Sequence, residues 1–252
     1  MMGDREAFLN RIAARLGKPR RRSRPEPVRL EGPGRLGMRP PEAPASLFLE
    51  NWEKAGGAVV GEPAEAALPA LVARHAVREA LVGGLSRPID GREGPDDGPA
   101  ALSTAEPSGS GDLLEAAPAA REALLSAALT LRRLGVDVRP ERGADRTFAA
   151  RATLGVVAAD AAIAETGSVV FLTSATAGRT ASLLPPVLWI VVSRATVYPT
   201  LGEALHALAE RGRKDGFPSA IQIVTGPSRS ADIEMQLTLG VHGPGTVWAQ
   251  LV

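Results

Sequence analysis

The chain has 252 residues, a formal net charge of +1 and 44% hydrophobic residues, which suits one large α/β domain or two small ones around a sizeable core. The near-neutral charge argues against a general nucleic-acid binder. Cysteine is absent, so the chain itself supplies no disulfide, thiol nucleophile or cysteine-ligated iron–sulfur cluster. Its longest apolar runs, such as Val187–Val192, fall far short of the roughly 20 residues that a membrane span needs. The N-terminal stretch lacks a continuous apolar signal segment, so we expect a cytoplasmic protein.

The first 44 residues predict a short helical arm followed by a linker. Residues 4–17 space their apolar side chains as an amphipathic helix does and end at Gly17 and Pro19. Residues 18–44 are rich in Arg, Pro and Gly. Their basic run Arg20–Arg22 suits an anionic partner, but the neighbouring prolines favour a solvated, extended linker. We therefore predict an arm over residues 1–44 and one α/β domain over residues 45–252.

From residue 45 onward, predicted helices alternate with short apolar strands, which is the pattern of a parallel α/β sheet. Helices are predicted over 45–55, 64–75, 119–134, 146–151, 199–211 and 230–239. Strands are predicted over 57–61, 79–83, 136–138, 154–158, 161–164, 168–172, 187–192, 221–225 and 246–252. Residues 84–111 interrupt this rhythm with many Gly, Pro, Ser and Asp, a composition that favours mobile surface chain.

Four polar segments in the second half carry the residues best suited to chemistry. The first is the turn Glu165-Thr166-Gly167-Ser168, which lies between two predicted strands. A carboxylate there can act as a catalytic base or nucleophile if burial shifts its pKa, and Gly167 lets a ligand approach the backbone. The alternative is a hairpin turn in which Glu165 only accepts hydrogen bonds from neighbouring amides.

The second segment, Gly178–Pro186, comes just before the apolar run 187–192. Arg179 can clamp a carboxylate or phosphate through two hydrogen bonds, and Thr180 and Ser182 add hydroxyl donors. The alternative is an ordinary surface loop whose prolines set the entry of the strand.

The third segment, Thr225–Glu234, lies between a predicted strand and the predicted helix 230–239. The start of a helix presents unpaired N–H groups and the positive end of the helix dipole. Because the predicted helix follows a strand directly, this segment predicts an anion site at the strand end. It matches neither GxxxxGK[ST] nor GxGxxG, which argues against the usual ATP and NAD sites. Its acidic residues have the alternative role of stabilising the first helical turn. The candidate binding residues are Gly226, Ser228, Arg229, Ser230 and Asp232.

The fourth segment, Gly240–Gly245, places His242 directly after that predicted helix. A helix C-terminus favours the charged imidazole, which can serve as an acid, a base or a hydrogen-bond donor, or simply bond to the backbone of a tight turn. His75 and His206 fall inside predicted helices. No two histidines have the spacing of metal ligands, so no metal site is predicted. The sequence also lacks the GxSxG elbow of a serine hydrolase.

In this order, the four segments resemble the lactate utilization protein C family (LutC/YkgG), whose shared module is the LUD domain. The resemblance lies in ADAAIAETGSVVF (159–171), GRTASLLPP (178–186), TGPSRSADIE (225–234) and LGVHGP (239–244). It implies an open, mostly parallel sheet with helices on both faces, like the NagB/RpiA/CoA transferase group. It also implies a part in oxidising L-lactate to pyruvate beside two iron–sulfur partner proteins, with no cofactor on this chain. The chain departs from the family at Leu188 and Trp189, where a histidine often follows the paired prolines.

Three functions therefore stay open at this point. In the first, the chain is a subunit that has no redox centre and that binds partners or substrate, with Arg179 or Arg229 as the clamp for lactate. Alternatively, it is an independent enzyme of the isomerase or CoA-transferase type, with Glu165 as nucleophile or base and the 226–230 loop holding a phosphate or CoA anion. The third possibility is a regulatory module that binds a small carboxylate or phosphorylated metabolite without turnover. The sequence gives no oligomeric state.

Overall fold

The computed structural model describes residues 3–17, 43–61, 66–83, 118–142, 144–173, 177–231 and 235–252. Its helices are α1 Gly3–Arg15, α2 Pro44–Lys54, α3 Ala67–Arg74, α4 Pro118–Arg133, α5 Arg146–Arg151, α6 Thr180–Leu183 and α7 Leu201–Asp215. The first six strands are β1 Ala58–Val59, β2 Glu79–Val82, β3 Asp137–Pro140, β4 Leu154–Ala158, β5 Ala161–Ile163 and β6 Ser168–Thr173. The remaining strands are β7 Val187–Val192, β8 Val197–Tyr198, β9 Ala220–Val224, β10 Arg229–Ser230, β11 Thr238–Leu239 and β12 Thr246–Leu251. The predicted loop 84–111 and the basic run Arg20–Arg22 lie outside the described residues.

The chain divides into two units, residues 1–36 and 37–252. In the first unit, α1 confirms the predicted N-terminal helix. Phe8, Ile12 and Leu16 are spaced four residues apart, so they share one face of the amphipathic segment. All three side chains are exposed.

The second unit is built on a six-stranded sheet in the order β1-β12-β7-β4-β2-β3. Every pairing within it is parallel. All residues of the central strands β4 and β7 are buried, as continuous apolar runs predict for strands covered on both faces. This sheet confirms the expected open, parallel α/β architecture.

Alternate residues of the central strands divide between two cores, one on each face of the sheet. Leu154, Val156 and Trp189 belong to the core that α3 and α4 cover. Leu188 and Ile190 belong to the opposite core, which contains side chains from α2, α5 and α6. Helices therefore cover both faces of the main sheet, as the resemblance implied.

A smaller sheet, in the order β8-β5-β6-β9, packs against this second face. The β5–β6 and β6–β9 pairs are antiparallel, and β8 runs parallel to β5. Val169 and Phe171 contribute to the core shared with the main sheet. Val170 points to the other side, where it packs with Ala204 and Leu208 of α7. The sequence predicted β5, β6 and β9, but neither β8 nor the separation of these strands into a second sheet.

The predicted helix over 230–239 is wrong. Arg229–Ser230 and Thr238–Leu239 are short antiparallel strands that pair with each other. Met235, Leu237 and Leu239 alternate with polar residues and are all exposed, and an alternation of period two is typical of a strand. The third segment is therefore no strand-to-helix turn, and the helix-dipole arguments for its anion site and for His242 do not apply.

Candidate functional site

The C-terminal half of α2 holds the turn between β5 and β6, which is the first of the four segments. The side-chain amide of Asn51 donates to the carbonyl oxygens of Ala164 and Glu165, at 2.8 Å and 3.2 Å. Gly167 has a φ of +61°, and a Cβ at this position would overlap the backbone of Asn51 and Trp52. Only glycine therefore lets this turn lie directly against the helix.

Trp52 fixes the end of α2 to the main sheet. Its side chain is fully buried, and its indole Nε1 donates to the carbonyl of Ala58 in β1 at 3.0 Å. The Phe48 and Trp52 ring centroids lie 6.0 Å apart. The backbone of Gly57 crosses the indole so closely that a Cβ there would overlap the ring. The α2 helix is thus a well-anchored support for the loops that contact it.

The Glu165 carboxylate caps the start of α7. Its Oε1 accepts a hydrogen bond from the Leu201 N–H at 3.0 Å, one of the amides that the first turn of a helix leaves unpaired. The Glu165 N–H also donates to the Pro199 carbonyl at 3.1 Å. Thr200 caps the same helix through the Glu203 N–H at 3.2 Å. The half-buried Glu165 thus accepts a hydrogen bond from a backbone amide, as in the hairpin-turn alternative. The donor, however, is Leu201 and not an amide of the turn itself.

Three hydroxyl groups connect the first segment with the third. The Thr166 and Ser168 oxygens lie 2.7 Å apart, and the Ser168 and Thr225 oxygens lie 2.6 Å apart. The β6–β9 pairing brings them together, because Val169 stands opposite Val224. Ser168 is buried, whereas Thr166 and Thr225 are exposed. The result is a hydrogen-bonded chain that reaches the surface at both ends, and Ser168 and Thr225 were not among the predicted site residues.

Arg229 and Gly226 fix the third segment to the end of α2. The Arg229 guanidinium donates to the Ala55 carbonyl oxygen. Gly226 has a φ of +68°, and a Cβ there would overlap the same carbonyl. Ser230 is buried, and Asp232 lies outside the described residues.

Ser228 ties the third segment to the fourth. Its hydroxyl accepts the backbone N–H of His242 at 3.2 Å, and its own N–H donates to the Pro244 carbonyl at 2.9 Å. Gly245 then donates to the Pro186 carbonyl at 3.0 Å, just before β7 and β12 begin. The His242 imidazole is exposed and makes no hydrogen bond or ion pair with any other described residue.

Arg179 and Ser182 lie apart from this cluster. Ser182 donates its hydroxyl to the Arg179 carbonyl at 3.1 Å, and the carbonyl of Ala181 lies against Gly155 of β4, where a Cβ would overlap it. The carboxylate of Glu141, which directly follows β3, accepts the Ala181 N–H at 3.0 Å. Arg179 is exposed, and within the described part of the chain its guanidinium makes no hydrogen bond or ion pair.

The candidate residues therefore form two groups at opposite ends of the main sheet. The group around α2 lies beside the residues that precede β1 and β12, at the amino ends of the strands. Arg179 lies with Glu141 near the carboxyl ends of β2 and β3, where open α/β sheets bind ligands. Sequence reasoning missed Glu141, although its position directly after a parallel strand was a signal that could have found it.

A charged network joins β2, β3 and α5. Asp145 caps α5 by accepting the Phe148 N–H at 2.7 Å, and this bond, aided by the Arg139 and Arg151 charges, holds the pKa of Asp145 below its usual value. Arg151 pairs with Glu79 at 2.8 Å, and Arg139 lies 4.2 Å above the centre of the Phe148 ring. This network explains the position of α5 and includes no predicted site residue.

Within the described ranges, no three His, Asp or Glu side chains come together as a set that could hold a metal ion. No helix in those ranges is both long enough and apolar enough to cross a membrane.

Comparison with known proteins identifies relatives of this chain. The family model described as the LUD domain matches residues 48–252. Lactate utilization protein C of Anoxybacillus flavithermus is 43% identical over 104 residues, which are 41% of this chain and 46% of the relative. Escherichia coli YkgG is 40% identical over 109 residues, 42% of this chain and 46% of that protein. The chain thus spans just under half the length of the curated relatives it matches.

Among solved structures, a crystal structure of a DUF162 family protein from Deinococcus radiodurans aligns with 84% of this chain and 99% of its own, at a TM-score of 0.48 and 20% identity. The family model and the curated relatives thus belong to the same family that the four sequence segments resemble.

Proposed function

Because this chain belongs to the LUD domain family, we propose that it serves a lactate-utilisation system as a cytoplasmic subunit without a redox centre of its own. Relatives named Lactate utilization protein C support this role. The chain has no cysteine, so cysteine-ligated iron–sulfur clusters, if the system uses them, belong to partner proteins. We propose two such partners, which would pass on the electrons taken from L-lactate.

The observation that carries the substrate-binding part of the proposal is the guanidinium of Arg179, which has no hydrogen-bond or ion-pair partner among the described residues. It is exposed near the carboxyl ends of β2 and β3, and no described residue uses its donors. A guanidinium presents a planar fork that matches the two oxygens of a carboxylate. Arg179 would therefore bind the carboxylate of lactate. Arg229 is less suited, because it already donates to the Ala55 carbonyl.

The alternative in which Glu165 is a nucleophile or base has less support. One of its carboxylate oxygens accepts the first N–H of α7, which gives the side chain a structural role. The proposal of a phosphate or CoA anion in the 226–230 loop has also lost its main argument, since no helix begins within residues 226–231.

Reconstitution tests the proposal. The full chain is mixed with the two proposed iron–sulfur partners, and lactate-dependent dye reduction is followed with and without this chain. Arg179→Ala should raise the KM for lactate about 10-fold or more, the loss expected when hydrogen bonds to a charged group disappear. Arg179→Lys should restore only part of the affinity, because an ammonium lacks the fork.

Arg74→Ala, an exposed arginine on α3, is the matched control and should behave as wild type. Equal activity without this chain would contradict the subunit role. Equal KM values for the Arg179 and Arg74 variants would contradict the substrate role. If this chain binds lactate but the turnover of the reconstituted system does not depend on the chain, a regulatory module is favoured instead.

A further inference from the structure

We infer that Glu141 is a positioning residue, which holds Arg179 where it can bind substrate; this inference rests on the proposed function. Glu141 directly follows β3, and its N–H donates to the Val82 carbonyl at 2.8 Å. The pairing of β2 with β3 thus continues through Glu141, and its backbone is fixed to the sheet. Its half-buried side chain extends to the segment that carries Arg179.

The Glu141 carboxylate fits closely into this segment. Its Oε1 accepts the N–H of Ala181 at 3.0 Å. A Cβ on Gly178 would lie 2.7 Å from Oε1, and a Cβ on Gly83 would lie 3.4 Å from Oε2. Contacts under 3.0 Å are essentially never made by real Cβ atoms. The glycine at position 178, next to Arg179, therefore leaves the space that the carboxylate occupies.

Arg179 is held from its other side as well. Ser182 donates its hydroxyl to the Arg179 carbonyl, and Ala181 is buried against β4. The backbone of Arg179 is thus fixed between the end of β3 and the surface of β4, while its guanidinium stays in solvent. Removing the Glu141 anchor would leave only the β4 side of this support.

This arrangement matters because a clamp for a carboxylate depends on the direction of its donors. A misdirected guanidinium loses part of its hydrogen bonding to the substrate carboxylate, so the affinity for substrate falls. Glu141 makes no ion pair with the Arg179 guanidinium, so it acts through the backbone and not by neutralising the charge. A glutamine, which keeps the acceptor oxygen, should therefore replace it well.

The kinetic test uses the reconstituted system. Glu141→Ala should raise the KM for lactate about 10-fold with little change in kcat, whereas Glu141→Gln should stay near wild type. Because Glu141 acts through Arg179, Glu141→Ala should cause no further rise in an Arg179→Ala background. Gly178→Ala displaces the Glu141 carboxylate and should raise KM in the same way. It serves as the second variant in case Glu141→Ala folds poorly. The control is Asp145→Ala, which removes a similar cap from α5 and should leave KM unchanged.

A second measurement does not depend on lactate. Trypsin cleaves after exposed arginines in mobile segments, and peptide mass spectrometry reports the rate at Arg179. Glu141→Ala should accelerate this cleavage several-fold relative to wild type, and Asp145→Ala should not.

The outcomes separate the two proposals. If Arg179→Ala raises KM and Glu141→Ala does not, the positioning role is wrong and the proposed function stands. If cleavage after Arg179 is unchanged in Glu141→Ala, the positioning role is also wrong. If Arg179→Ala itself leaves KM unchanged, the substrate role fails and this inference fails with it.

Discussion

Replacing Glu165 with alanine should destabilise the domain by weakening the start of α7. The Leu201 N–H would lose the carboxylate that it donates to at 3.0 Å. A hydrogen bond to a charged group contributes about 1.5–3 kcal/mol, and a carboxylate near a helix start about 0.3–1 kcal/mol. Glu165 is half-buried, so water would partly replace the lost acceptor. We expect a loss of about 1–2 kcal/mol in the free energy of unfolding.

Urea and thermal unfolding measure this loss directly. For a chain of this size, about 1 kcal/mol lowers Tm by roughly 2–4 °C, so Glu165→Ala should melt about 2–8 °C below wild type. Glu165→Gln keeps an oxygen acceptor and loses only the charge, so its cost should be about 1 kcal/mol or less. Glu122→Ala, an exposed glutamate on α4, is the control and should leave Tm unchanged.

Two results would refute this reasoning. If Glu165→Ala unfolds as wild type does, the bond to α7 contributes nothing to stability. If Glu165→Gln is as unstable as Glu165→Ala, hydrogen bonding to the Leu201 N–H is not the main contribution. A Glu165→Gln variant that is fully folded but inactive in the reconstituted system would support the catalytic role predicted from sequence.

Three further predictions concern other close contacts and one titrating group. Gly155→Ala should cost about 1–3 kcal/mol of unfolding free energy or more, because its Cβ would overlap the Ala181 carbonyl; Gly61→Ala, with open space around it, should be neutral in the same urea titration. Gly167→Ala combines a positive φ with overlap against α2, so its Tm should fall clearly, and an unchanged Tm would contradict the packing described. The depressed pKa of Asp145 means that its bonds stabilise the fold above the ordinary aspartate pKa of 3.8 and are lost as pH falls through the lower, folded-state value. The stability difference between wild type and Asp145→Asn should therefore be constant near neutral pH and shrink in acid, and a difference that grows in acid would show the opposite linkage.

The main sheet could be predicted from sequence because its signals are local. Val187–Val192 is a continuous apolar run, and such runs between helical segments indicate buried parallel strands. The second sheet could not be predicted in this way, since only the pairing of its strands with one another separates them from the main sheet, and no local pattern shows that pairing. The helix predicted over 230–239 failed for a different reason. Its apolar residues alternate with a period of two, and this local signal was misread.

The candidate site was only partly predictable. The sequence indicated which segments carry chemistry; two of them meet at the end of α2, and the fourth is joined to the third through Ser228. The local pattern did not reveal that Glu165 caps a helix beginning at Leu201, because that contact depends on how β5 and β8 pair. It also did not reveal that Arg179 lies at the other end of the main sheet, beside Glu141.

The anchoring of several loops on α2 has a consequence for how the domain opens. The β5–β6 turn bonds to Asn51 of α2, and Arg229 bonds to Ala55, directly after α2. The loop before β12 is joined to the Arg229 segment through Ser228. Local unfolding proceeds in cooperative units that share their contacts. Release of α2 would therefore free all three loops in a single opening event, and their backbone amides would exchange with solvent deuterium at a common rate. Segments that are distant in sequence would thus stay folded for the same average time before each local unfolding event.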